Sequence, residues 1–157
     1  MSTLMNVRDA ISAAEAECYI TLNGTRYCFM QVINLEAKIE KEKISVPILG
    51  QRTKGSKTVG WKGTGTAKMH YNTSIFRKLL EDYKITGNDV YFEIHVINKD
   101  PISSVGMQAV TLRGCNIDGA TLAKFDANAD FLDEEISFTF DDFDVAVPFN
   151  PMEGMKG

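Results

Sequence analysis

The sequence predicts a mainly β (α+β) fold: an antiparallel β-sandwich or partly closed barrel with one packed amphipathic helix and a long extended loop. Three observations carry that expectation. Apolar and polar residues alternate with period two in several runs, as where Ile136, Phe138 and Phe140 interleave with Ser137, Thr139 and Asp141. Asn23-Gly24 sits between two such runs, and both residues favour the positive φ that a tight hairpin turn demands. Helical spacing is clear in one place, where Ile75, Phe76, Leu79, Leu80 and Tyr83 make a single apolar stripe.

Taken in order, residues 1–16 carry Ala10, Ala13, Ala14 and Ala16 near Ile11, which predicts a short helix or an N-terminal arm. Cys18, Ile20 and Leu22 then alternate with Glu17, Tyr19 and Thr21 as a first strand. The return run 25–33 is apolar on both faces and is expected to be a central strand covered on both sides. Leu35, Ala37 and Ile39 follow as a half-buried strand with Glu36, Lys38 and Glu40 outward, and the run Glu40-Lys41-Glu42-Lys43 reads as a solvated edge. Pro47 cannot donate to a ladder, so pairing should end there.

The loop expected at 46–57 is longer than most hairpin connections and holds Arg52, Lys54 and Lys57. The next strand has two distinct faces. Val59, Trp61, Ala67, Met69 and Tyr71 lie on one, with Gly63 and Gly65 leaving space for a close approach; Thr58, Lys62, Thr64, Thr66, Lys68 and His70 lie on the other. A helix over 73–83 should start at a Thr73 or Asn72 cap and stop at Gly87. Further strands are expected around Val90 to Val96, over 107–117, and at Ile136 to Phe140, before an irregular C-terminal tail. No internal repeat or linker divides the chain, and a single domain is expected.

The totals exclude several functions. A hydrophobic share of 44%, a charged share of 24% and a formal net charge of -4 describe an ordinary globular protein and not a general polyanion binder. No apolar run approaches a membrane helix, and the N-terminus lacks the pattern of a secretory signal. Cys18, Cys28 and Cys115 form no Cys-x-x-Cys spacing, so reduced thiols are expected, not a disulfide frame or zinc site.

Two motifs come close and miss. Gly50 to Thr58 approaches a phosphate-binding loop, but Ser56 separates Gly55 from Lys57, and a strand follows where a helix is needed. Asp126-x-Asn128-x-Asp130 resembles the start of a calcium loop, but Phe131 stands at the glycine position and Ser137 at the bidentate one. His70 and His95 have no motif partners, and Cys115 lies in a strand. Catalytic, cofactor and metal sites are therefore expected to be absent.

Charge is segregated instead. Arg52, Lys54, Lys57, Lys62 and Lys68 occupy one stretch; Asp126, Asp130, Asp133, Glu134, Glu135, Asp141, Asp142 and Asp144 occupy another with no base among them. Opposite signs on separate parts allow one copy to meet another head to tail, in a closed ring or an open filament. The inter-subunit expectation names Arg52, Lys54 and Lys57 against Asp133, Glu134, Glu135, Asp141 and Asp142. Lys62, Thr64, Thr66 and Lys68 are candidates for a lumen or interface strand. The alternative is a monomeric nucleic-acid-binding module using the basic loop 50–68, although its bases are not interleaved with aromatics in the manner of a single-strand stacking platform.

Gly60-Trp61-Lys62-Gly63-Thr64-Gly65-Thr66, Tyr71-Asn72-Thr73-Ser74 leading into Phe76-Arg77-Lys78-Leu79, Asp89-Val90-Tyr91-Phe92 and Asn98-Lys99-Asp100-Pro101 together resemble tail tube proteins of contractile phages. Leu112 to Asp118 and Phe138 to Asp142 fit the same pattern, so the resemblance covers about residues 17–144. The nearest group is the PBSX-like one of defective prophages and phage-tail-like (diffocin-type) bacteriocins. The resemblance implies a structural subunit and no enzyme: hexameric rings of a single tail-tube domain stack into a hollow tube, with a contractile sheath around it. It implies an extended inter-subunit loop at 46–57, with contributions from the arm at 1–16 and the tail at 145–157. Implied partners are copies of itself, the sheath, baseplate and tail terminator proteins, and passing DNA where the particle is a complete phage. The implied location is a virion or tail-like particle, made in the bacterial cytoplasm.

Overall fold

The structure is a computed structural model that describes residues 4–12, 16–152 and 154–155. Its strands are β1 (Ala16–Leu22), β2 (Thr25–Cys28), β3 (Val32–Val46), β4 (Gly55–His70), β5 (Phe92–Lys99), β6 (Met107–Gly119), β7 (Asp133–Phe140) and β8 (Asp142–Val147), with one α-helix, α1 (Ile75–Thr86), among the described residues. Every strand pairing is antiparallel. The chain divides into two compact units, Met1–Gln31 with Tyr91–Cys115 and Asp142–Gly157, and Val32–Val90 with Asn116–Asp141.

In the first unit the strand order is β2-β1-β5-β6-β8, and the sheet stays open at both ends. The Asn23-Gly24 hairpin forms as expected, with φ of 51° and 80° at the two turn residues. Ile20, Phe92 and Ile94 are buried in this unit on the faces read from the sequence, and Leu112 and Cys115 are buried with them. A single 3₁₀ turn, Val7–Asp9, is capped by Asn6, whose Oδ1 accepts from Arg8 N. The Asp9 carboxylate accepts from the Ser104 backbone N–H at 3.0 Å and the Ser104 hydroxyl at 2.7 Å, which holds its pKa below the usual value. Residues 1–3 and 13–15 of the helix or arm expected at 1–16, including Ala13 and Ala14, lie outside the described residues.

The expected central strand at 25–33 is corrected. β2 stops at Cys28, pairs only with β1, and is exposed along its whole length. Phe29 turns inward to 3% exposure, and its N–H donates to Cys18 O at 2.8 Å. Apolar residues on both faces mark a covered strand only where a second layer arrives; here a turn at Met30-Gln31 redirects the chain into β3. β8 was not anticipated: its aspartates obscured the alternating Phe143, Val145 and Val147. Burial pushes the Cys18 thiol up to about 11, Cys115 is fully buried, and Cys28 is exposed.

In the second unit the order is β3-β4-β7, followed by the last part of β6, and this sheet too is open. Ala67, Met69, Ile136, Phe138 and Phe140 line its buried face. Gly63 lies opposite Phe140, and Gly65 opposite Phe138. A Cβ on Gly63 would stand 2.5 Å from the Phe140 ring, and one on Gly65 would stand 2.3 Å from Phe138. The close approach expected at these glycines is thus made by two core phenylalanines, whose rings cover the bare strand.

The helix starts two residues later than expected and runs to Thr86. Ser74 takes the N-cap position without a side-chain bond, while Thr73 Oγ1 accepts from Ile75 N at 3.5 Å. Gly87 closes it at φ 75°, its N–H donating to Tyr83 O. Phe76 alone on the stripe is fully buried; Ile75, Leu79 and Leu80 are half-buried and Tyr83 is exposed.

Candidate functional site

Charged and apolar side chains fall into three regions, two of them on the β3–β4–β7 sheet of the second unit and the third along the acidic stretch, which is divided between the two units. The first is an arm. β7 ends at Phe140, opposite Gly63, and beyond that point β3 and β4 pair only with each other, from Glu40↔Lys62 to Val46↔Gly55. A two-stranded ribbon without a third strand or a cover is marginal in water. This one nevertheless exposes Ile44, Val59 and Trp61, at 51%, 57% and 41%. Trp61 leans on Phe140 with ring centroids 6.2 Å apart. The segment 46–57 therefore contains the end of β3, the turn 47–54 and the start of β4. Arg52 and Lys54 lie in the turn and Lys57 on β4, opposite Ile44, all exposed.

The second region is the polar face of the same sheet. Its cross-strand neighbours are Glu40 beside Lys62, Lys38–Thr64–Thr139, Glu36–Thr66–Ser137 and Asn34–Lys68–Glu135. Lys62 and Lys68, read from sequence as part of a basic stretch, are interleaved here with carboxylates from the neighbouring strands. Lys68 also pairs with Asp133 at 3.3 Å. The face presents hydroxyls and balanced charge, not a continuous cationic stripe.

The third region is the acidic stretch, which the structure splits. Asp133 binds Lys124, whose Nζ donates to its backbone O at 2.7 Å and to Oδ1 at 3.2 Å, as well as Lys68. The Lys124 bond above all, then Lys68, holds the Asp133 carboxyl below the usual range. Glu134 is a correction: at 3% exposure it is inside, and its carboxylate accepts from Arg77, so it is not available to a neighbouring molecule. Glu135 and Asp141 are exposed. Asp142 is exposed at the start of β8, opposite Arg113, and Asp144 pairs with Arg113 at 3.0 Å.

Arg77 was missed in the sequence. It donates to Glu134, to Thr73 O and, at 3.1 Å, to Thr121 O, and its guanidinium lies 4.5 Å over the Tyr71 ring. This planar fork ties the start of α1 to β7 and to the loop before it. The signal was parity: Glu134 shares the even-numbered face with Ile136, Phe138 and Phe140, so its side chain had to point inward and find a partner.

Asp126 Oδ1 accepts from Asn128 N at 3.0 Å in an exposed turn. No group of His, Cys, Asp or Glu among the described residues is arranged to hold a metal. No described helix is long and apolar enough to cross a membrane.

In the second unit an open antiparallel sheet extends into a two-stranded ribbon that no third strand supports. The chain belongs to the phage tail tube protein family, whose model matches residues 3–146. It is 38% identical over 141 residues to the phage-like element PBSX protein XkdM of Bacillus subtilis (strain 168), covering 90% of this chain and 93% of that one. The expected resemblance to the PBSX-like group is thereby borne out. A solved Bacillus subtilis structure is 36% identical, with a TM-score of 0.50 over 85% of this chain and 98% of that one. The fold also matches chains in the anti-feeding prophage baseplate (TM-score 0.64, 13% identity, 94% of this chain and 100% of that chain) and the sheath–tube complex of an extracellular contractile injection system (0.62, 12%, 87% and 91%). As a member of a tail tube family it is a structural protein of a virion or tail-like particle and not an enzyme.

Proposed function

We propose that this protein is the inner-tube subunit of a contractile tail, whether of a phage or of a phage-tail-like particle. Copies of it form six-membered rings that stack into a hollow conduit inside a sheath, between a baseplate and a terminator. The observation that carries the reading is the bare β3–β4 arm, which holds exposed Ile44 and Val59 on two strands that no third strand supports, and exposed Leu49 in the turn between them. Such an element gains its cover from a second molecule. Membership of a tail tube family supports another copy as that second molecule, and the likeness of the fold to chains from a baseplate and a sheath–tube complex supports the surrounding parts.

In this reading the polar face carrying Lys62, Thr64, Thr66 and Lys68 turns to the aqueous channel. Glu36, Glu40 and Glu135 on the adjoining strands offset its lysines, so that a polyanion passes without being held. Negative-stain microscopy of the concentrated protein is expected to show rings or tubes. Monomers at every concentration and salt, with no growth on an isolated baseplate, would overturn the reading.

A further inference from the structure

Two surfaces of the second unit are left exposed and have opposite character. One is the tip of the arm. Gln51 N donates to Ile48 O at 3.1 Å, and Gly50 at φ 82° allows the chain to reverse there. This turn holds Leu49 at its apex, 103% exposed, with Ile48 at 44% beside it. Arg52 and Lys54 follow, exposed and in no ion pair among the described residues. The tip is thus an apolar knob with a cationic flank.

The other surface is the loop 120–132, long for a connection with no secondary structure of its own. It is fastened at both ends. Arg77 holds Thr121 O, Lys124 reaches back to Asp133, and Tyr71 N donates to Leu132 O at 3.0 Å. Phe131 meets the His70 ring edge-on at 5.3 Å. Between these ties Leu122, Phe125 and Phe131 point outward at 72%, 89% and 60% exposure. Lys124 is engaged with Asp133, so the charge the loop offers is that of Asp126 and Asp130, neither of which is in an ion pair among the described residues. A loop fastened in this way has already lost much of the entropy that docking would otherwise remove.

We infer that the arm tip of one copy docks on the 120–132 loop of another, Leu49 seating among Leu122, Phe125 and Phe131 while Arg52 and Lys54 meet Asp126 and Asp130. The inference rests on the tube reading and specifies its contact. A second copy is the fitting occupant because the two surfaces match in both hydrophobicity and sign and are present on every molecule. A contact between two different patches of one chain is heterologous, the kind that propagates into rings or filaments. The acids concerned are not the ones expected from sequence: Asp133 and Glu134 are in ion pairs within the chain, whereas Asp126 and Asp130 are in none among the described residues.

The test is charge exchange in the full chain, read as the critical concentration for polymer by sedimentation. Arg52→Glu with Lys54→Glu should raise it at least about tenfold, as should Asp126→Lys with Asp130→Lys. Mixing the two variants, or combining all four changes in one chain, should bring it back to within about threefold of the original. A second readout is Leu49→Cys with Phe125→Cys in a Cys28→Ser background, where oxidation should give a ladder of covalent oligomers. Polymer that forms normally but shows no rescue and no ladder overturns this pairing and leaves the tube reading standing. An original chain that never polymerises, and a cysteine variant that stays monomeric on oxidation, overturn both.

Discussion

The same two strands behave differently along their length. Near the base, β3 and β4 lie beside β7, and Gly63 and Gly65 admit the rings of Phe140 and Phe138. Past Gly63 the β3–β4 pairing continues through Glu40↔Lys62 and, after a register shift between Glu42 and Lys43, on to Val46↔Gly55, but no third strand accompanies it and apolar side chains face water. The β3–β4 ladder runs through both halves, so what the arm lacks is the third strand and the side-chain burial that comes with it. The base is built for the stability of the single molecule and the arm for contact with others, and substitutions should separate the two.

The largest effect is expected beside the base, at the buried Arg77–Glu134 pair. Glu134→Ala leaves a guanidinium at 16% exposure without its carboxylate and should cost about 3–5 kcal/mol in denaturant unfolding. Replacing both residues with apolar ones of similar size should cost clearly less, since no buried charge is then stranded. Next comes Gly65→Ala, whose new Cβ would meet the Phe138 ring at 2.3 Å; about 1–3 kcal/mol of destabilisation is expected by the same measurement. A base that tolerated both changes would remove the distinction between the two halves.

Acid should act next in size. Asp133 has a folded pKa below its ordinary value, owing chiefly to Lys124 and then to Lys68. Its contribution is therefore present above the unfolded carboxylate pKa of about 3.9 and is lost as pH falls through the folded value. Comparison of Asp133→Asn with the original across an acid titration should show the difference in stability shrinking toward low pH. The smallest effect on the isolated molecule belongs to the arm: Ile44→Ser and Val59→Ser should each change unfolding free energy by no more than about 0.5 kcal/mol. The same substitutions should suppress polymer formation in sedimentation. An arm variant that unfolded the monomer would reverse the comparison.

Much of the base was legible in the sequence because period-two alternation reports burial directly. Ile136, Phe138 and Phe140, and the paired glycines on β4, were read on the faces where they lie. The hairpin turn and the glycine stop of α1 were legible through backbone chemistry, since each needs a positive φ that few residues accept. What failed depended on neighbours distant in sequence. The edge position of β2 follows from its having a single partner, which local pattern does not reveal. Of the candidate assembly residues, Arg52, Lys54 and Lys57 were placed on the exposed arm. Glu134 was misread because a count of like charges ignores which face each one occupies.

The distribution of sulfur has a practical outcome. Cys115 is sealed, Cys18 has its thiol pushed up to about 11, and Cys28 stands in the open on the outermost strand of its sheet. A maleimide or a thiol-reactive dye should therefore mark one position per native chain without any engineering. Its rate of attachment then gives a direct kinetic reading of how far that margin becomes shielded as the particle is put together.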